Sequence, residues 1–172
     1  MIREKFIKLD KNIMIFINVK LRCRALDLLM PIITYLGSSE FSTVLALSAI
    51  MVTGYSRESY GLKLTLTLII SGIITQVVKR TVNRLRPFLI MKDLHIKKIG
   101  IDDFSFPSGH TTAAFSSAVM TLLFYPHLTA PCLILALLAG LSRIYLGVHF
   151  PTDVVAGAFI GSTVSLLLFS YL

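Results

Sequence analysis

The chain alternates apolar runs with short polar breaks, and the breaks cluster. Residues 2 to 24, IREKFIKLDKNIMIFINVKLRCR, mix basic and apolar positions, and Phe6, Ile7, Ile13, Met14 and Ile17 recur at nearly helical spacing. This pattern predicts an amphipathic helix lying in the membrane interface. Apolar residues then run from Ala25 to Tyr55, interrupted at Gly37-Ser38-Ser39-Glu40, so that stretch reads as a shallow first half and a crossing at 41–55. Further spans are predicted at 60–84, 109–125, 130–147 and 152–171, with Pro126 and Pro131 bracketing a turn and Pro151 suited to a first helical turn. A spanning helix needs about 20 mostly apolar residues, so the chain has room for about five. The expected fold class is therefore all-α, a polytopic membrane bundle of about five transmembrane helices behind an N-terminal interfacial helix. One domain covers 1–172, with 1–25 as interfacial segment and 26–172 as bundle. Counting crossings brings the end of the second span, the start of the third, the end of the fourth and the start of the fifth to one membrane face. Gly157 and Gly161 make a GxxxG spacing, read here as close packing within the chain.

Composition supports the membrane reading. Of 172 residues 55% are hydrophobic and 15% charged, and the mean hydropathy is +0.77, which excludes an ordinary soluble domain. Lys and Arg number 17 against 9 Asp and Glu. In this setting such an excess points to anionic headgroups or a phosphate substrate and away from nucleic acid. Cys23 and Cys132 stand far apart in dissimilar contexts, so neither a disulfide framework nor a metal site is expected, only packing. The N-terminus has no secretory leader pattern, and the first span is expected to direct insertion.

The densest polar break is RPFLIMKDLHIKKIGIDDFSFPSGH, residues 86–110. Ionisable groups near a bilayer usually have a partner or a task. Arg80 and Arg84 read as interfacial anchors, since long basic side chains reach headgroups easily. Lys79 and Arg86 are seven residues apart, nearly two helical turns, and share a face if the helix persists that far. Ser108 is placed to cap a helix whose free N–H groups form an anion site, which Gly109 opens to close approach. His110 follows in the first turn, where an imidazole can exchange a proton or serve structure alone. In Ser142-Arg143-Ile-Tyr-Leu-Gly-Val-His149-Phe-Pro-Thr-Asp153, Gly147 and Pro151 let the chain leave one helix and start another. Asp153 can bond one nitrogen of His149 and raise the basicity of the other, equipping it to attack phosphorus or to act as a base. Alternatively it caps the fifth span. Together these pieces offer Lys79, Arg86 and Arg143 as cations, Ser108 with backbone amides as neutral donors, and two histidines. A tetrahedral phosphate calls for that set.

K-x6-RP at 79–87, PSGH at 107–110 and SR-x5-H-x3-D at 142–153 resemble, in order and spacing, the three signature motifs of the type 2 phosphatidic acid phosphatase (PAP2) superfamily. The resemblance implies metal-independent hydrolysis of a lipid phosphomonoester or pyrophosphate through a phosphohistidine, without cofactor. Carried onto matching positions, it makes His149 the nucleophile, Asp153 its orienting partner, and His110 the acid that protonates the leaving oxygen and then activates water. Lys79, Arg86, Ser108, Gly109 and Arg143 would hold the phosphate. Undecaprenyl pyrophosphate, phosphatidic acid, phosphatidylglycerophosphate and lipid A classes are the implied substrates, in the cell membrane. Two other readings share the motifs: a vanadate-binding, haloperoxidase-like enzyme, and a noncatalytic membrane scaffold or carrier. Lys92, Lys97 and Lys98 are expected to draw anionic headgroups, with Asp102 and Asp103 solvating the loop. Basic residues concentrate on the motif face, which points that face to the cytoplasm, whereas the resemblance favours the outside.

Overall fold

A computed structural model describes residues 2–96 and 104–172. Eight α-helices follow one another among them: α1 (Ile2–Ile15), α2 (Arg24–Ile33), α3 (Ser39–Thr53), α4 (Tyr60–Val82), α5 (Pro87–Ile90), α6 (Gly109–Phe124), α7 (Thr129–Tyr145) and α8 (Pro151–Tyr171). A π-helical turn at Phe16–Lys20 follows α1, and 3-10 turns at Thr34–Gly37 and Pro126–Leu128 precede α3 and α7. The loop positions Lys97, Lys98, Asp102 and Asp103 lie outside the described residues, while Lys92 is exposed.

Among the described residues, three helical segments are long and apolar enough to cross a membrane: Tyr60–Val82, Pro126–Tyr145 and Pro151–Tyr171. Arg24–Gly37 and Ser39–Thr53 qualify together as a pair bent by 50°. The bend falls in the Gly-Ser-Ser-Glu interruption, where Ser38 Oγ caps α3 by accepting the Phe41 N–H at 3.1 Å. The third expected span is α6, and its 16 residues rise only about 24 Å. It is the central helix, packed against α8, α7, α4 and α3. Enclosed by protein, it tolerates polar residues that pair with its neighbours: Thr75 Oγ1 donates to Thr112 Oγ1 at 3.2 Å, Ser116 Oγ to Ser71 Oγ at 2.9 Å, and Ser165 Oγ to the Ser116 carbonyl at 3.0 Å. The bundle expected from sequence is thus three long spans, one bent pair and a shorter core helix.

Gly157 and Gly161 are what let α8 press on α6. A Cβ on Gly157 would stand 2.6 Å from the Ser108 carbonyl oxygen, and one on Gly161 would overlap that of Thr112. The GxxxG spacing serves internal packing, as expected. On α1, Phe6, Ile7, Leu9 and Ile13 are exposed, while Asp10 and Met14 are buried against the bundle. Cys23 is exposed rather than packed, and Cys132 is partly buried beside an alanine-rich core of α6 and α7.

Candidate active site

Motif by motif, the backbone brings the sequence candidates to one end of the bundle. Lys79 lies in the last turn of α4 and is buried. The helix does not persist to Arg86, because Asn83 takes the left-handed conformation (φ 49°) and ends it at Val82. Arg86 instead adopts extended backbone ahead of Pro87, as a residue before proline must. Both cations are still buried, so they converge through a chain reversal rather than a shared helix face.

The reversal is fixed by hydrogen bonds to the segment entering α6. Ser105 N–H donates to the Arg84 carbonyl at 2.7 Å, and Leu85 pairs with Phe104 in an isolated antiparallel bridge. Ser108 caps α6 as expected, its Oγ accepting from the Thr111 N–H at 3.4 Å and the Thr111 hydroxyl at 2.9 Å. Its own N–H donates to the Asp153 carbonyl at 3.0 Å. The helix starts of α6 and α8, and with them the second and third motifs, are thereby joined.

His149 sits in the turn between α7 and α8, which Gly147 permits with φ 79°. The ring is buried. Its Nδ1 lies 2.7 Å from the Ser105 carbonyl, an acceptor only, so the network assigns the proton to Nδ1. Nε2 then carries the lone pair and accepts from Arg86 Nη1 at 3.1 Å, while the same guanidinium nitrogen donates to the Val148 carbonyl at 3.0 Å. Burial, together with Arg143, Arg86 and Lys79, pushes the His149 pKa well below the usual histidine value. It is therefore neutral at neutral pH. Below pH 6.5 an unfolded chain takes up a proton that the folded ring refuses, so the contribution of His149 to stability declines on acidification.

Asp153 differs from expectation in its reach. Its Oδ2 is 3.7 Å from His149 Nδ1, too far for a hydrogen bond, and accepts the Phe150 N–H at 2.8 Å instead. The Ser105 carbonyl is the direct partner of the ring, and Asp153 caps α8 while facing the imidazole with its charge. Arg84 also differs, being no headgroup anchor. Its Nη1 donates to Asp153 Oδ1 at 2.7 Å and to Thr152 Oγ1 at 2.7 Å, and its guanidinium stacks 4.1 Å over the Phe150 ring. Arg80, by contrast, is exposed.

Arg143 ends α7, buried, with Nη1 donating to Thr34 Oγ1 at 2.8 Å. His110, in the first turn of α6, is within electrostatic reach of Arg143, His149 and Arg86. It also lines one end of a cavity of about 510 Å³ between α3, α4 and α6, whose walls include Ala46, Leu47, Ile50, Leu68 and Ile69. Sequence reasoning missed Ser105, which acts through its backbone, and misassigned Arg84. It also missed Asp10, whose signal was present: a lone carboxylate in the middle of the Phe6 to Ile17 apolar stripe.

Three buried cations, Lys79, Arg86 and Arg143, thus bear on the buried His149 at one end of the bundle. The PAP2 superfamily model matches residues 60–172, and the chain belongs to that superfamily. It is 32% identical over 121 residues to an undecaprenyl-diphosphatase of Sulfolobus acidocaldarius, covering 70% of this chain and 59% of that protein. With a lipid A 1-phosphatase of Rhizobium johnstonii it shares 31% identity over 117 residues, 62% of this chain and 46% of the relative. The chain thus spans about half to three-fifths of the length of these relatives. The crystal structure of the transmembrane PAP2-type phosphatidylglycerolphosphate phosphatase from Bacillus subtilis superposes with a TM-score of 0.82 at 28% identity, covering 97% of this chain and 86% of that one. Like it, this chain is an integral membrane protein.

Proposed function

We propose that the protein is a metal-independent lipid phosphatase of the cell membrane, acting on a phosphomonoester or pyrophosphate whose lipid part lies in the α3–α4 cavity. The observation that carries this reading is the convergence of the three motifs on His149: the first and third bring the buried cations Lys79, Arg86 and Arg143 within electrostatic reach of its ring, and Ser108 of the second is hydrogen-bonded to Asp153 of the third. In the first half-reaction Nε2 attacks phosphorus, the bond to the lipid oxygen breaks, and His110 gives that oxygen its proton. Nδ1–H stays on the Ser105 carbonyl, and the charge gained by the ring is balanced by Asp153. Arg86 transfers its hydrogen bond from Nε2 to a phosphate oxygen, where Lys79, Arg143 and the N–H groups at the start of α6, with Ser108 and Gly109, take up the remaining charge. In the second half-reaction His110 accepts a proton from water, the resulting oxygen attacks phosphorus, and the P–Nε2 pair returns to His149.

The cavity suits this division, since its apolar walls lie deeper in the bundle while Gly109 and His110 sit at the motif end. Undecaprenyl pyrophosphate, phosphatidic acid, phosphatidylglycerophosphate and lipid A phosphates all present such a headgroup on an apolar tail. The test is phosphate release by purified protein across that panel, with EDTA throughout. Release on at least one lipid, unaffected by EDTA and inhibited by vanadate, is expected. Release abolished by EDTA, or none on any lipid, overturns the reading.

A further inference from the structure

Asp10 is the one acidic residue of α1 that the bundle buries, and it lies outside the residues matched by the family model. Its Oδ2 accepts from Arg84 Nη2 at 2.6 Å and from the Thr152 hydroxyl at 2.6 Å, and its Oδ1 accepts the Thr152 N–H at 3.0 Å. Arg84 in turn donates from Nη1 to Asp153 Oδ1 at 2.7 Å. The side chains of Asp10, Arg84 and Asp153 are 4%, 27% and 0% exposed, so the row of charges, minus, plus, minus, is largely withdrawn from water and weakly screened. We propose that Asp10 and Arg84 are positioning residues for His149, acting through Asp153.

The argument is one of charge sharing. Asp153 faces an imidazole that becomes cationic when phosphorus bonds to Nε2, and it is useful there only while its negative charge is available. Arg84 fixes the carboxylate in place and, alone, would also neutralise it. Asp10 divides the attention of Arg84, leaving Asp153 both anchored and negative toward the ring. Stacking on Phe150 holds the guanidinium plane between the two acids. The N-terminal helix, which exposes Phe6, Ile7, Leu9 and Ile13, is thereby tied by short hydrogen bonds to Asp153, whose carboxylate faces His149 at 3.7 Å.

This inference rests on the phosphohistidine reading above. In full-length protein, Asp10→Asn keeps the shape of the side chain and removes its charge. The expected result is a fall in kcat of about tenfold with KM within about twofold, because ground-state phosphate binding does not use Asp153. Asp10→Glu should restore much of kcat, and Lys11→Gln, on the exposed side of α1, should behave as wild type. Should Asp10→Asn fail to fold, Thr152→Val decides, since it loosens Asp10 without removing a charge; a smaller fall, confined again to kcat, is expected. Wild-type kcat in whichever of these two variants folds overturns the proposal, as does a loss that Asp10→Glu fails to relieve. Absence of lipid phosphatase activity in wild type would instead sink the functional reading itself.

Discussion

Each end of the bundle buries a cation, and the two ends use it differently. At the end away from the motifs, Lys63 is 4% exposed. Its ammonium donates to the Phe169 carbonyl at 3.3 Å and to Glu58 at 3.5 Å, and lies 5.2 Å and 5.9 Å from the ring centres of Phe169 and Phe124. Phe124 meets Tyr60 and Phe169 edge to face. Everything around Lys63 absorbs its charge, and the arrangement fastens α4 to α8. At the motif end, Lys79, Arg86 and Arg143 are just as buried, yet all three bear on one neutral histidine and depress its pKa. Burial of a cation is therefore not the mark of a site; convergence of several on a group that has kept its lone pair is.

The contrast can be broken first by substitution. Arg143→Ala should cost about 10²- to 10³-fold in kcat, about 3 to 4 kcal/mol, if its charge meets the transition state; a loss under threefold in a phosphate-release assay would place Arg143 with the structural cations. A smaller effect comes from pH. Since His149 is held neutral below its ordinary range, protonation of its ring should cost phosphoenzyme formation less than about twofold between about pH 7.5 and 5.5, a span over which a histidine of unperturbed pKa would lose about tenfold of its neutral form. A single-turnover rate that falls about tenfold across that span through protonation of His149 would contradict the geometry. The least effect belongs to the far end: Lys63→Met should leave kcat/KM within about twofold and the thermal midpoint within about 4 °C. Loss of turnover in that variant would erase the distinction between the two ends.

How much of this was legible in the chain depended on what kind of interaction carried it. Helix positions followed from apolar run length, and the α6 and α8 starts from Ser108 and Pro151, because local chemistry decides them. The two glycines of α8 announced close packing for the same reason. Where long-range contacts decide, sequence spacing misled. Seven residues between Lys79 and Arg86 suggested one helix face, but Asn83 can take the left-handed conformation and ended the helix. Four residues between His149 and Asp153 suggested a direct hydrogen bond, but the Phe150 N–H took the carboxylate and the Ser105 carbonyl took the ring. Arg84 looked like one more interfacial cation, since nothing near it in sequence points to Asp10, 74 residues away.

The central claim is that the His149 Nε2 lone pair attacks phosphorus. The most direct test is rapid quenching of the protein with a lipid substrate labelled in the phosphate to be transferred, followed by mapping of the protein-bound label. An alkali-stable, acid-labile phosphate on His149, absent from His149→Ala and accumulating in a variant at His110 given a good leaving group, is the predicted result. Label on another residue, or undiminished turnover by His149→Ala, would contradict the account.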